Sequence, residues 1–214
     1  MDKQKQIQHI PPAAFNFMTN YYDTITEMFG FGKKLKRRVL EMLEAKDGET
    51  ILDVGSGTGT FLAIASKALP HSKLIGVDPD RKALAIAREK LAGVESRVTL
   101  YEASAEELPV ADKSIDICVS TLAFHHLPRL VKLKAIQEIH RVLKPDGKFI
   151  LVDFGKPVSF LSRILLFVGG FIDGRDNLQA NLEGVLPIYL QQVGFSVSEI
   201  AKPYRGIHFL MANK

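Results

Sequence analysis

Residues 51–59 read Ile-Leu-Asp-Val-Gly-Ser-Gly-Thr-Gly, and this stretch decides the fold. Its apolar start predicts a buried strand, and the glycines at alternate positions, Gly55, Gly57 and Gly59, predict a sharp turn. Residues 60–69 then have the apolar spacing of a helix. Glycine suits the turn because it adopts positive φ and lets a ligand approach bare backbone, while the free amides of a helix start favour a negative group. The stretch therefore predicts a nucleotide-type cofactor site at the edge of a parallel sheet.

The spacing of these glycines distinguishes between kinds of cofactor loop. A dinucleotide-binding loop reads G-x-G-x-x-G, or ends in alanine, which requires a small residue where this chain has Thr60. The third glycine also comes one residue too early for that pattern. A phosphate-binding P-loop is excluded because no Gly-Lys-Ser/Thr follows. The chain instead places an acid, Asp53, two residues before the first glycine.

Downstream, short apolar segments alternate with helical ones, as is typical of an α/β sheet. Residues 74–77 predict a second strand that ends in Asp78, where an acid can accept both hydroxyls of a ribose. Pro79 and Asp80 are expected to open the next helix, since proline suits a first helical turn. Further strands are predicted over 97–101, 115–120 and 148–153, with a long helix to 143, a turn over 144–147, a last helix over 177–193 and an antiparallel strand pair over 195–200 and 207–212.

Residues 44–153 resemble the small-molecule class I S-adenosylmethionine-dependent methyltransferases of the type 11 kind, which include quinone-biosynthesis and phospholipid-headgroup enzymes. The matching stretches, in the family's order, are 51–59, 76–78, 104–109, 114–116, 125–127 and 141–147. The element order and this resemblance imply an α/β fold, with a Rossmann-like, seven-stranded, mostly parallel sheet, helices on both faces and an antiparallel last strand. The resemblance also implies S-adenosylmethionine as cofactor, S-adenosylhomocysteine as its product and a methyltransferase activity.

The resemblance further implies which residues bind the cofactor. The expected set is Asp53, Gly55, Ser56, Gly57, Gly59, Asp78, Pro79, Ser104, Ala105, Ser120 and Tyr22. The glycines would line the methionine and ribose parts, Asp78 would hold the ribose, and Ser104 and Ala105 would flank the adenine. Ser120 would lie near the methionine part. The family usually has aspartate where this chain has Ser104, and a neutral hydroxyl accepts a hydrogen bond more weakly than a carboxylate by roughly 1 kcal/mol.

Two segments outside the core are candidates to cover the acceptor, because ligands of open α/β sheets bind beyond the carboxyl ends of the strands. Residues 20–23, Asn-Tyr-Tyr-Asp, resemble the family's Tyr-Asp element, which would put Tyr22 over the cofactor; the alternative is an aromatic helical stripe packed on the sheet. The apolar run 164–172 is too short for a bilayer, which needs ~20 residues. It is interpreted as a core or lid helix, with an apolar acceptor pocket or a membrane-surface contact as alternatives.

The 214 residues fit one domain, and 46% hydrophobic and 24% charged residues are typical of soluble globular proteins. The domain is expected to divide into an N-terminal helical cap (1–45), a cofactor-binding core (46–153), an apolar lid (154–178) and a C-terminal helix and strand pair (179–214). A polar N-terminus without a signal peptide and a single cysteine predict a reducing, cytoplasmic location. That cysteine, Cys118, is interpreted as a buried structural thiol, and no metal site is expected.

The net charge of +4 is unevenly distributed, with a concentration of cations at Lys33, Lys34, Lys36, Arg37 and Arg38. Apolar residues lie between them, so a helix would turn its apolar face inward and its cations toward water. Contact with an anionic membrane surface is the alternative. Nucleic acid is disfavoured as a partner because no aromatic residue interrupts the basic run and no Asn/Asp-Pro-Pro-aromatic signature follows the fourth strand.

The candidate catalytic residues are His125 and His126, which follow the fourth strand at the ligand edge. A sulfonium methyl group is already activated, so a general base is needed only when the acceptor loses a proton. The alternative is that both histidines are polar residues at the start of a helix, and His140, well inside that helix, is expected to be structural. No Ser-His-Asp order or His-x-x-x-His spacing competes with this interpretation.

The function expected from these features is methyl transfer to a small, apolar or amphipathic acceptor that is quinone- or lipid-like. Three alternatives stay open at this point. The first is methyl transfer to a polar metabolite, the second an oxidoreductase with a nicotinamide cofactor, and the third a non-catalytic adenosyl-binding subunit.

Overall fold

The computed structural model describes residues 30–157 and 175–214. Its strands are β1 Thr50–Val54, β2 Lys73–Asp78, β3 Val98–Glu102, β4 Ile115–Thr121, β5 Leu143–Phe154, β6 Ser196–Tyr204 and β7 Ile207–Asn213. They form one sheet in the order β3-β2-β1-β4-β5-β7-β6. The first five strands are parallel, and β7 is antiparallel to both of its neighbours, β5 and β6. The predicted sheet, mostly parallel with an antiparallel last strand, is confirmed.

Helices cover both faces of this sheet, as predicted. They are α1 Lys33–Leu43, α2 Thr60–Ala68, α3 Arg81–Lys90, α4 Arg129–Val142, α5 Arg175–Leu182 and α6 Val185–Val193, with a 3-10 turn at Phe124–His126. The apolar faces of α1, α2 and α3 pack with one set of strand residues, including Ile51 and Ile117. The faces of α4 and α6 pack with the alternate set, including Leu52 and Cys118. Alternate residues of one strand thus enter opposite cores, which explains why these strands are apolar throughout.

Cys118 is confirmed as a buried thiol. It lies in β4, in the core that contains α4, and burial raises the pKa of its thiol above the ordinary range. A neutral, buried thiol of this kind acts as a small apolar side chain.

The start of α3 differs from the expectation in one respect. Asp80 caps this helix, and its carboxylate accepts hydrogen bonds from the backbone N–H groups of Lys82 at 2.8 Å and Ala83 at 3.3 Å. Pro79 therefore precedes the cap, so its placement in the first helical turn is wrong. An aspartate cap satisfies backbone donors that proline cannot satisfy, since proline has no side-chain acceptor.

Two further expectations about local structure are wrong. Residues 144–147 do not form a turn between α4 and a later strand, because β5 begins at Leu143 and includes them. The pairing of β5 with β4 is irregular over this part of the strand. The helix predicted over 177–193 is divided into α5 and α6. Gly184 lies between them with φ of 80°, a left-handed conformation that ends helices and favours glycine.

Several expectations fall on segments outside the described residues. Tyr22 and the rest of the stretch 1–29 lie there, as does the apolar run 164–172. The expected cap and lid therefore stay predictions. Among the helices that the structure describes, none is long and apolar enough to cross a membrane.

Candidate active site

The glycine loop leaves β1 at the carboxyl edge of the sheet. Gly55, Gly57 and Gly59 all have positive φ, with values of 76°, 52° and 72°. The loop is held against the neighbouring strand, because the N–H groups of Gly55 and Ser56 both donate to the carbonyl of Val77, at 2.8 and 3.1 Å. Helix α2 begins directly after the loop, so the free amides of its first turn face the same edge.

The three glycines are required for different reasons. A Cβ on Gly55 would lie 2.3 Å from the Cβ of Ala123, and one on Gly59 would lie 2.9 Å from the Cβ of Ala87. Both positions are thus filled by packing against the chain itself. A Cβ on Gly57 would meet no atom of residues 30–157 or 175–214 within 4 Å. Gly57 is therefore the position at which the loop backbone is open to a ligand.

Asp78 ends β2 beside this loop. Its carboxylate accepts hydrogen bonds from the N–H groups of Gly57 at 2.7 Å and Asp80 at 2.8 Å. A carboxylate accepts hydrogen bonds only, which suits it to the hydroxyls of a ribose. Pro79 is exposed between these two aspartates. Asp78, the acid predicted to bind the ribose, is thus joined to the predicted glycine loop by a direct hydrogen bond from Gly57.

Asp53 is buried at the same edge, with 1% of its surface exposed. In the part of the chain that the structure describes, neither of its carboxylate oxygens has a hydrogen-bond partner. Burial raises its pKa to about 7, against which the charge of Lys36 acts, while the charge of Asp78 raises it further. A buried polar group without a partner costs roughly 1–3 kcal/mol, so this carboxylate is suited to a polar or cationic ligand.

Two hydroxyls share this property. The Oγ of Ser56, in the loop, and the Oγ1 of Thr121, at the end of β4, are buried and have no hydrogen-bond partner within the described residues. Because β4 pairs with β1, both hydroxyls lie at the edge that carries Asp53. Unsatisfied polar atoms are rare in folded interiors, so their concentration here fits a site that a polar ligand completes.

The remaining predicted cofactor residues are arranged around this edge. Ser104 and Ala105 are half-buried just after β3, and the N–H of Ala103 donates to the carbonyl of Asp78 at 3.3 Å, which ties this segment to the end of β2. Ser120 is fully buried, and its Oγ donates to the carbonyl of Val54 at 2.7 Å. Its side chain thus links β4 to β1, an interaction within the sheet that the sequence pattern did not predict.

The two candidate catalytic histidines follow β4, next to the glycine loop. Ala123, which packs on Gly55, immediately precedes the turn that carries them. His125 is 4% exposed, and its Nδ1 lies 2.8 Å from Oδ1 of Asp153. His126 is half-buried, and its ring centroid lies 3.9 Å from that of His125. The structure thus brings His125 into a buried pair with a carboxylate.

The partners of Asp153 determine the tautomer of His125. This carboxylate also accepts hydrogen bonds from the backbone N–H groups of Phe124 and Phe154, both at 2.7 Å, and from the side-chain amide of Asn181 at 3.3 Å. A carboxylate surrounded by donors acts as an acceptor, so Nδ1 of His125 carries the proton. In the neutral imidazole, Nε2 is then the acceptor nitrogen, which is the form that a general base requires.

Sequence reasoning missed three residues of this region. Asp153 was predicted only as the end of a strand. Lys132, on α4, is buried and donates through Nζ to the carbonyls of Phe124, Leu127 and Asn177. Burial lowers its pKa to about 8, an effect that the charge of Asp153 opposes and that of Arg129 reinforces. The sequence did hold one signal for Lys132. It lies next to Val131 and three residues before Ala135, so helical spacing places it on the buried face of α4.

The third residue is Lys36, which was expected to face water with its neighbours. Lys33, Lys34, Arg37 and Arg38 are exposed, but Lys36 is half-buried. Its Nζ lies 3.3 Å from the carbonyl oxygen of Thr121. It follows the buried Leu35 directly, so helical spacing places it at the border of the apolar face. The membrane contact suggested for these cations stays a prediction.

Comparison with known proteins agrees with this geometry. A family profile described as a methyltransferase domain matches residues 51–147. The ubiquinone/menaquinone biosynthesis C-methyltransferase of Pasteurella multocida is 31% identical over 172 residues, which cover 78% of this chain and 62% of that protein. The demethylmenaquinone methyltransferase of Thermus thermophilus is 29% identical over a match that covers 75% of this chain and 77% of that protein. The chain is thus similar to methyltransferases along most of its length. It spans less than two thirds of the length of the Pasteurella protein.

Solved structures of methyltransferases share the fold of this chain. A SAM-dependent methyltransferase from Aquifex aeolicus superposes with a TM-score of 0.66 at 23% identity, over 83% of this chain and 88% of that one. Phosphoethanolamine N-methyltransferase 2 of Haemonchus contortus, in complex with S-adenosyl-L-methionine, superposes with a TM-score of 0.65 at 20% identity. The superposition covers 86% of this chain and 53% of that one. The match to a methyltransferase domain favours S-adenosylmethionine over a nicotinamide cofactor. The backbone at Gly57, the carboxylate of Asp78 and that of Asp53, which has no hydrogen-bond partner among the described residues, fit an adenosyl amino acid.

Binding of this cofactor is expected to depend on the protonation of Asp53. Because burial raises the pKa of Asp53 from 3.8 to about 7, the free protein carries a proton there below pH 7. The α-ammonium of the cofactor favours the ionised form of Asp53, so affinity for S-adenosylhomocysteine should rise by about tenfold from pH 6 to pH 8. At pH 6, binding should release the proton that Asp53 carries in the free protein. Calorimetry in buffers of different ionisation enthalpy measures both quantities.

The same pKa sets a stability trend. A carboxyl whose pKa is higher in the folded than in the unfolded protein stabilises the fold at low pH. The contribution of Asp53 should therefore be lost as pH rises from about 4 to about 7. In Asp53→Asn both the binding profile and this part of the stability profile should become flat, and an unchanged pH profile in that variant would contradict the assignment.

Proposed function

We propose that this protein transfers a methyl group from S-adenosylmethionine to a ring carbon of a small, quinone-like acceptor. The methyl-transfer part is carried by one observation: the glycine loop, Asp53 and Asp78 meet at one edge of the sheet, and the Asp53 carboxylate has no hydrogen-bond partner among the described residues. The acceptor part is supported by the relatives, which are named as C-methyltransferases of ubiquinone and menaquinone biosynthesis and as a demethylmenaquinone methyltransferase.

The chemistry required of the protein is limited. The cofactor supplies a methyl group that is activated by the positive charge on its sulfur. The protein must align the acceptor with that methyl group, which is worth ~7–11 kcal/mol at best. A hydroquinone ring carbon becomes a better nucleophile when a ring hydroxyl loses its proton. We assign the acceptance of this proton to Nε2 of His125, because Asp153 holds the proton of the same ring on Nδ1.

His125→Gln is therefore expected to lower kcat by about 10²–10³-fold, since general base catalysis contributes rate enhancements of this order. Affinity for S-adenosylhomocysteine should stay within about twofold, because the glycine loop and both aspartates are retained. Steady-state kinetics with a hydroquinone acceptor and a separate calorimetric titration measure the two effects. His71→Gln, at an exposed histidine beside Asp47, is the matched control. A kcat unaffected by His125→Gln would remove the base from this proposal.

The acceptor class is tested with purified protein, methyl-labelled S-adenosylmethionine and either demethylated naphthoquinols or a whole-cell extract, followed by organic–aqueous partition. The proposal expects label in the organic phase, on a ring carbon, and much less label with Asp78→Asn at a cofactor concentration near the wild-type Kd. Asp146→Asn, at an exposed aspartate, is the control. Label that appears only in the aqueous or precipitable fraction would contradict the quinone-like acceptor and favour a polar metabolite or a macromolecule.

A further inference from the structure

The turn that carries His125 is held from two sides. On one side, the carboxylate of Asp153 accepts hydrogen bonds from the backbone N–H groups of Phe124, at 2.7 Å, and of His125, at 3.4 Å. On the other side, the ammonium group of Lys132 donates to the carbonyl oxygens of Phe124, at 2.6 Å, and of Leu127. The backbone of this turn is therefore fixed through both its donors and its acceptors.

Helix α5 is tied to the same turn. The Nζ of Lys132 also donates to the carbonyl oxygen of Asn177 on α5, at 3.1 Å. In the other direction, the side-chain amide of Asn177 donates to the carbonyl oxygen of His126, at 2.7 Å. An ammonium group has three N–H donors, and here each has an acceptor. Lys132 thus joins the turn, α4 and α5 at one buried point.

The position of Lys132 is costly for the fold. The residue has no exposed surface, and burial lowers the pKa of its ammonium group to about 8. The neighbouring charge of Arg129 lowers this pKa further, while the charge of Asp153 opposes both effects. A cation near the amino end of a helix is also disfavoured by the helix dipole. Since an apolar side chain would fill the same space without these costs, stability alone does not favour a lysine here.

We propose that Lys132 is a positioning residue for the methyl transfer, which holds the turn so that the imidazole of His125 meets Asp153. The inference rests on the proposed function, because it concerns the base assigned there. Nδ1 of His125 lies 2.8 Å from Oδ1 of Asp153, so a shift of the turn by about 1 Å would break this hydrogen bond. Lys132 acts through His125 and does not contact the acceptor.

The test is a double-mutant cycle with His125. The four proteins are the wild type, Lys132→Met, His125→Gln and the double variant, assayed with a demethylated naphthoquinol at saturating S-adenosylmethionine. Methionine is close to lysine in length, and the carbonyl of Phe124 keeps its hydrogen bond from the N–H of Leu127, which favours folding of the variant. Lys134→Met, at an exposed lysine of the same helix, is the matched control.

Lys132→Met is expected to lower kcat by about 10- to 100-fold, since a misplacement of about 1 Å can cost a rate factor of this order. In the His125→Gln background the same change should lower kcat by less than about twofold, because no base is left to position. Affinity for S-adenosylhomocysteine should stay within about threefold in all four proteins, as the glycine loop and both aspartates are retained. Lys134→Met should behave as the wild type.

Asn177→Ala is a milder variant that keeps the charge of Lys132 and removes the side-chain hydrogen bond to the carbonyl of His126. It should lower kcat by about 3- to 10-fold, as the loss of one hydrogen bond predicts, and it carries the same cycle if Lys132→Met does not fold. Nitrogen-15 NMR of the histidine-labelled protein needs no acceptor. The proton of His125 should lie on Nδ1 in the wild type, and both tautomers should be populated in Lys132→Met.

Three results would overturn this inference alone. The first is wild-type kcat in a folded Lys132→Met or, where that variant does not fold, in Asn177→Ala. The second is an equal loss of kcat in the wild-type and His125→Gln backgrounds, which would indicate a structural role. The third is an unchanged tautomer of His125 in Lys132→Met. If His125→Gln itself keeps the wild-type kcat, the base of the proposed function fails, and the inference fails with it.

Discussion

Gly55→Ala is expected to lower the free energy of unfolding by about 2–5 kcal/mol, the sum of left-handed backbone strain and overpacking. The new Cβ would lie 2.3 Å from the Cβ of Ala123 at a φ of 76°, and Ala123 starts the turn that carries His125. Neither backbone can move without disturbing the end of β4. Since whole domains are stable by only about 5–15 kcal/mol, this is a severe loss. Guanidinium unfolding curves measure it.

Gly57→Ala separates packing from ligand access. Its φ of 52° costs a side chain about 1–2 kcal/mol, but its Cβ would meet no atom within 4 Å in the part of the chain that the structure describes. Stability should therefore fall much less than in Gly55→Ala, while affinity for S-adenosylhomocysteine falls because the methyl group enters the open space. Gly93→Ala, also at positive φ in open space but in the loop after α3, should lose similar stability and keep its affinity. Equal destabilisation by Gly55→Ala and Gly57→Ala would contradict this division.

Asp78→Asn is the second change with a large expected effect, a loss of about 1.5–3 kcal/mol in cofactor affinity through weakened hydrogen bonds to a charged group. Asparagine preserves the size of the side chain, but its NH₂ group replaces one acceptor oxygen. The N–H groups of Gly57 and Asp80 both need an acceptor, so one of these bonds or the ribose contact must be lost. Calorimetry with S-adenosylhomocysteine measures the change.

The control for this prediction is 5′-methylthioadenosine, which keeps the ribose. Its affinity should fall by the same factor as that of S-adenosylhomocysteine, because Asp78 is assigned to the sugar and not to the amino acid part. Unchanged affinity for both ligands would sink the ribose assignment. A loss confined to S-adenosylhomocysteine would move Asp78 to the methionine end.

The elements that the sequence predicted well are those with strong local signals. The strand, glycine loop and helix around residues 51–69 were predictable because glycine spacing and apolar periodicity act over a few residues. The approximate position of every strand was also predicted. Two of the errors fall at 144–147, where a turn-like sequence belongs to β5, and at Gly184, where the predicted single helix is two helices. At 144–147, strand pairing outweighed the turn propensity of the sequence. At Gly184, the left-handed conformation of the glycine outweighed the helical propensity of its neighbours.

The sequence by itself determined the cofactor edge of this protein. Asp53, the glycines and Asp78 belong to one local pattern, in which each residue's position along the chain fixes its position in space. Lys36, Asp153 and Lys132 belong to no such pattern. Lys36 meets Thr121 across 85 residues, and Asp153 meets His125 across 28. Only the packing of α1 on the sheet and the adjacency of β4 and β5 bring these charges together, because buried polar groups find their partners through tertiary contact and not through spacing in sequence.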